Sequence, residues 1–182
     1  MIGLHRNTVE VVEHHPGWAD LAASACQDIQ RVAGDLFAGL QHVGSTAVPD
    51  LPAKPIIDIA AGICTPDVVP ELLELMPTIG YLYCGDHGTN GGHLFVKESS
   101  PDVRTIHVHV VEHNGTQWRN YLLFRNLLRQ DPDIRRQYAA LKQELGERFC
   151  DDRPSYTASK HDFIWGILEA RVSQSQSKPS EG

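Results

Sequence analysis

Three features of this chain have residue types and spacings that could do chemistry: two histidines one residue apart, a lone aspartate in an apolar run, and a Gly-Ser pair upstream of it. In residues 104–112, RTIHVHVVE, polar and apolar residues alternate through most of the run. On a strand, His107 and His109 then share one face, and Ile106, Val108 and Val110 share the other. Two imidazoles on one face can bind a metal, move a proton or contact phosphate. A solvent-facing pair on a half-exposed strand has the same pattern. Residues 56–63 are apolar except for Asp58 and read as a buried strand. A buried, unpaired carboxylate is costly, so Asp58 calls for a metal, a lysine or a helix end as its partner. Gly44 and Ser45 form a small-residue turn whose backbone N–H groups could cradle an anion; an ordinary tight turn reads the same way. If the two strands are neighbours, Asp58, His107 and His109 converge on one cleft.

The C-terminal third adds cations. Lys160 stands three and four residues before Phe163 and Ile164, over an apolar stripe that continues through Ile167 and Leu168. A lysine there either snorkels to solvent or reaches a buried anion. Tyr156 lies one turn earlier on the same side, and Arg125 follows Tyr121 by one turn. His5, His14, His15, His87, His93, His113 and His161 have no metal-site spacing.

The elements that must position these residues follow from periodicity. Residues 9–12 read as an edge strand. Leu21, Ala22, Ala25, Ile29 and Val32 mark a helix over 18–33. Residues 37–43 lead into the Gly-Ser turn as a strand. Thr65 and Pro66 open a helix that Pro77 and Gly80 end. Strands follow at 81–84, 93–97 and 104–112, with a polar glycine-rich loop at 85–92. Helices are expected at 116–129, 132–149 and 156–172, with a charged break at 151–154. Strands outnumber crossover helices, so the sheet is expected to be mixed, in an α+β fold flanked by helices with helices at the C-terminal end. Residues 1–172 read as one domain, and 173–182, which lack apolar residues, as a disordered tail.

The totals exclude several classes. A chain of 182 residues with 41% hydrophobic content can bury a sizeable core. No apolar stretch reaches membrane-spanning length, and the N-terminal residues, without a basic region followed by an apolar run, are not expected to act as a signal peptide. The four scattered cysteines fit reduced thiols and a cytoplasmic location. A formal net charge of −7 without a basic run argues against nonspecific nucleic-acid binding but not against a small phosphorylated ligand in a local pocket.

Read together, several motifs resemble the GrpB family, an offshoot of the nucleotidyltransferase superfamily. They are Pro16, Gly17 and Trp18; residues 42–49, HVGSTAVP; residues 54–59, KPIIDI; Arg104 with residues 107–111, HVHVV; Trp118; Phe124 and Arg125; residues 138–142, YAALK; and Tyr156, Thr157, Lys160, Phe163 and Ile164. The resemblance runs from about Val9 to about Leu168 and implies a nucleotidyltransferase-like fold. It implies metal-dependent transfer of a nucleotidyl group from an NTP to a small acceptor, with Mg²⁺ or Mn²⁺. Asp58, His107 and His109 would be the catalytic residues, with Asp58 and His109 as metal ligands. His42, Gly44, Ser45, Thr46, Lys54, Arg104, Arg125, Tyr156 and Lys160 would bind the nucleotide or other phosphorylated ligand. Two positions depart from the pattern. The second acid expected on the Asp58 strand is Ala60, and Asp50 stands where the family commonly has Gly. Two-metal phosphoryl transfer uses carboxylates for both cations. The alternative is therefore a nucleotide- or phosphate-binding module without catalysis, and a third reading is a histidine-based metal protein without nucleotide.

Overall fold

The computed structural model describes residues 2–88 and 91–176. Among these residues six strands form one mixed sheet: β1 (Leu4–His5), β2 (Gly39–Val43), β3 (Ile57–Ile63), β4 (Tyr81–Asp86), β5 (His93–Ser100) and β6 (Val103–Glu112). The order is β2-β3-β6-β5-β4, with β1 beside the start of β6. Among the described residues only β3 and β6 run parallel; every other pairing is antiparallel. This is the mixed-sheet α+β architecture, with helices at the C-terminal end, expected from the element order.

The long strands are apolar on the face that meets α1 (Trp18–Ala33) and α2 (Val69–Leu75). Trp18, Ala22, Ala25, Ile29 and Ala33 recur every three or four residues and pack on Ile57, Ile59, Val108 and Val110. The opposite face of β2, β3 and β6 is covered by α3 (Thr116–Gln130), where Trp118 meets Val43, Ala60 and Val111. Behind α3 stand α4 (Pro132–Arg148), α5 (Arg153–Ser159) and α6 (His161–Gln176). Asp131 caps α4 by accepting from the Asp133 and Ile134 N–H groups, and Pro132 opens it. Among the described residues no helix is long and apolar enough to cross a membrane.

Four expectations need correction. Residues 9–12 form no strand. Val12 makes a single bridge to Ala53, and Val9 is buried against Leu145 and Tyr156, so this run anchors the N-terminal segment to the helices. The helix expected after Thr65 is interrupted: a 3-10 turn (Pro66–Val68) precedes α2, and another (Met76–Ile79) follows. Pro70 and Pro77 lack the N–H that a continuous helix would use there. The last helix is two, broken at Lys160, and its first turn lies in the expected charged break, because Asp152 caps α5 by accepting from the Ser155 N–H. Of the expected tail, residues through Gln176 belong to α6, and 177–182 lie outside the described residues.

Candidate functional site

The parallel pairing of β3 with β6 sets Asp58 opposite His107 and Ala60 opposite His109. Partners in a parallel pair share a face, so the carboxylate and both imidazoles point the same way, towards α3. Asp58 Oδ1 lies 3.4 Å from His107 Nδ1 and 3.2 Å from His109 Nε2. Burial pushes the Asp58 carboxyl up, but hydrogen bonds from His107 and His109 outweigh it and hold the group well below the usual carboxylate range. Burial also holds the His107 imidazole below its ordinary value, and its Nε2 is buried without a partner.

Gly44 explains how the turn reaches this cluster. Its φ of 71° and ψ of −171° lie in a region that is essentially reserved for glycine. A Cβ there would stand 2.7 Å from Asp58 Oδ2. The 3-10 turn Ser45–Ala47 that follows is held by α3 from behind: Arg129 donates to the Ala47 carbonyl at 2.9 and 2.6 Å, and Arg125 donates to the His42 carbonyl at 2.9 Å.

These groups line a cleft of about 450 Å³ between the sheet and the C-terminal helices. Of the residues expected from the sequence, it brings together Gly44, Ser45, Thr46, Lys54, Asp58, His107, His109, Arg125, Tyr156 and Lys160. Two expected ligand-binding residues are not in its lining. His42 alternates with Val43 along β2 and falls on the other side, in a separate pocket with His14, Asp50 and Arg129. There it hydrogen-bonds Thr46 Oγ1 at 3.0 Å, and burial lowers its pKa to about 4. Arg104 turns towards Cys84 Sγ, 3.9 Å away, with its Nε buried. Asp50 also lies in the separate pocket, so its charge does not line the cleft. Its φ of 62° gives the reason for a glycine preference at that position.

The cleft contains charged groups that sequence spacing did not single out. Lys142 of α4 is 1% exposed and donates to the Pro52 carbonyl. Arg153 of α5 is buried, donating to the His5 and Thr8 carbonyls. Lys142 lies within the motif YAALK and Arg153 within the charged break, but nothing in their local spacing indicates burial. Lys160 is the C-terminal cap of α5 rather than part of a continuous helical stripe; its ammonium lies 4.3 Å above the Tyr156 ring, and Lys54 approaches the same ring at 5.2 Å. Lys142 lies over the Tyr138 ring at 4.8 Å. Burial first, and then neighbouring cations, lowers Lys54 to about 8, Lys160 to about 7 and Lys142 to about 6.

Asp58, His107 and His109 offer one oxygen and two nitrogens within 4.8 Å of one another, a set that could hold one divalent ion. Imidazole suits Mn²⁺, Fe²⁺ or Zn²⁺ better than Mg²⁺, which favours oxygen ligands. The second acid position offers nothing: Ala60 is 0% exposed, packed among Val43, Val111 and Trp118.

The family model described as GrpB protein matches residues 8–170. The chain is 31% identical over 171 residues to the glutamate-rich protein GrpB of Alkalihalophilus pseudofirmus, covering 92% of this chain and 98% of that protein. It superposes on the crystal structure of the conserved protein GrpB from Enterococcus faecalis with a TM-score of 0.81 and 32% identity, over 92% of this chain and 100% of that one. A structure of the Cid1 poly(U) polymerase bound to MgGTP matches with a TM-score of 0.53 at 12% identity, over 75% of this chain and 45% of that one. At that identity the likeness is one of fold.

Proposed function

Starting from the fact that the chain belongs to the GrpB family, we propose that its cleft binds a nucleoside triphosphate by the phosphates and transfers the nucleotidyl group to a small acceptor. The observation that carries this reading is the convergence of the Gly44-Ser45 turn, Asp58 and a group of lysines and arginines in one cleft of a nucleotidyltransferase-like fold. Backbone N–H groups of the turn and the side chains of Lys54, Arg125 and Lys160 receive the phosphate oxygens. Asp58 and His109 would hold one divalent ion, which when bound would supply Lewis-acid charge at the reacting phosphate. The acceptor oxygen forms a bond to the α-phosphorus while the bond from that phosphorus to the bridging oxygen breaks, releasing pyrophosphate. An imidazole that is not a metal ligand, donating one N–H to Asp58, would keep a basic lone pair on its other nitrogen and could take the acceptor's proton.

One observation favours a second reading, binding without catalysis. The strand carries a single acid, and the buried Ala60 leaves no room for a second carboxylate without repacking Val43, Val111 and Trp118. Pyrophosphate release from NTPs, measured with Mg²⁺, Mn²⁺ and Zn²⁺ across a panel of acceptors, separates the two. Transfer chemistry requires release by the wild type and a fall of orders of magnitude in Asp58→Asn, since a charged ligand at the reacting centre contributes several kcal/mol. If the wild type releases none but an NTP still raises the melting temperature, the binding module is the correct reading.

A further inference from the structure

The cleft lining sets five cationic side chains, Lys54, Lys142, Lys160, Arg125 and Arg153, against one acid, Asp58, in a chain whose formal net charge is −7. Among the described residues, none of the five forms an ion pair. Their heads are held by neutral groups instead. Backbone carbonyls hold Lys142, Arg125 and Arg153, and the ring face of Tyr156 holds Lys54 and Lys160. Carbonyls and ring faces fix a cation's position without cancelling its charge. Arg153 Nη1 is buried with no partner at all. Burying uncompensated charge is costly, and a cluster built this way offers donors that an anion from outside can satisfy. The other means of neutralising phosphate on this fold, a second cation held by a second acid, is closed off by the buried Ala60.

We propose that this lysine-arginine cluster is a polyphosphate subsite in its own right, holding a polyphosphate chain without a divalent cation and standing in for the second metal ion of a two-metal site. The inference rests on the reading above that the cleft takes phosphates, and adds that binding, unlike any transfer, is independent of metal. Burial and crowding leave the lysines incompletely protonated near neutrality, so an arriving anion is held more tightly as pH is lowered from about 8.5 to about 6.5.

The test is calorimetric titration of the full chain with inorganic tripolyphosphate in excess EDTA. The wild type is expected to bind. Lys160→Met and Lys142→Met, each checked for folding by its melting curve, should weaken binding about tenfold or more, the scale of a lost charge-assisted hydrogen bond. Asp58→Asn keeps the shape of the cleft and removes the one acid among its described lining residues, so it should bind tripolyphosphate in EDTA at least as tightly as the wild type. Binding that appears only after Mn²⁺ is added, or that Asp58→Asn abolishes, overturns the inference while leaving the cleft as a phosphate site. No binding with or without metal overturns both.

Discussion

Lys142 is a buried lysine that should destabilise the protein it belongs to. It is 1% exposed, and burial, followed by repulsion from Lys160 and Lys54, brings its pKa to about 6. In the unfolded chain the same group titrates at about 10.4. Between these values the unfolded state holds a proton that the folded state lacks, so folding is disfavoured, most strongly below the folded pKa, and stability rises with pH across this window. At about pH 7.5 the gap is roughly three units, or about 4 kcal/mol at about 1.4 kcal/mol per unit. Lys142→Met removes that cost and keeps an unbranched side chain over Tyr138. It also leaves the Pro52 carbonyl without its donor, a loss of about 1–3 kcal/mol. The net expectation is a variant about 1–3 kcal/mol more stable near pH 7.5, which raises the melting temperature by roughly 2–12 °C in a chain of this length. Near pH 9 the ionisation cost falls to about 2 kcal/mol and the advantage vanishes. Melting curves at several pH values, run beside tripolyphosphate titrations, test the pair of effects: stability gained, anion binding lost. A variant that melts below the wild type near pH 7.5, or shifted equally at every pH, would refute the reasoning, because Lys142 would then be favourably charged in the folded state.

Other variants probe the rest of the site. Gly44→Ala forces a side chain into a glycine-only backbone region and within 2.7 Å of Asp58 Oδ2; it should cost about 1–3 kcal/mol and weaken Mn²⁺ or Zn²⁺ binding, with calorimetry reporting both. His109→Ala removes one of the two imidazoles that hold Asp58 down, so NMR titration should show the Asp58 carboxyl protonating at higher pH than in the wild type; an unchanged titration would sink the proposed coupling. Asp50→Gly relieves a left-handed φ of 62° and should raise stability by about 0.5–1 kcal/mol, with no effect on tripolyphosphate affinity, because Asp50 does not line the cleft.

Some of this protein is written in short-range spacing. Alternation in RTIHVHVVE determines that His107 and His109 share a face, because a pleated strand has a period of two whatever surrounds it. A single acid in an apolar run and a Gly-Ser pair before it are equally visible, as is α1, whose buried residues recur at helical spacing. The family resemblance carried the fold by the order of such motifs. Tertiary structure alone decided the rest. The site depends on the parallel register that sets Asp58 opposite His107, and a parallel pairing between segments some 50 residues apart is fixed by which faces can be buried together, not by either segment alone. The same parity placed His42 on the far side of the sheet. The cationic cluster was legible only in part, since Lys54, Arg125 and Lys160 stood out while Lys142 and Arg153 did not. A lysine on a helix is ordinarily solvated, and its neighbours in sequence do not say otherwise. Lys142 became buried because α4 packs it against the Pro52 carbonyl, about 90 residues earlier in the chain, and Arg153 because α5 lays it on the carbonyls of His5 and Thr8 near the other end. Those acceptors come from remote backbone, which has no local signature in sequence, so the charge of the cleft was settled only when the helices docked.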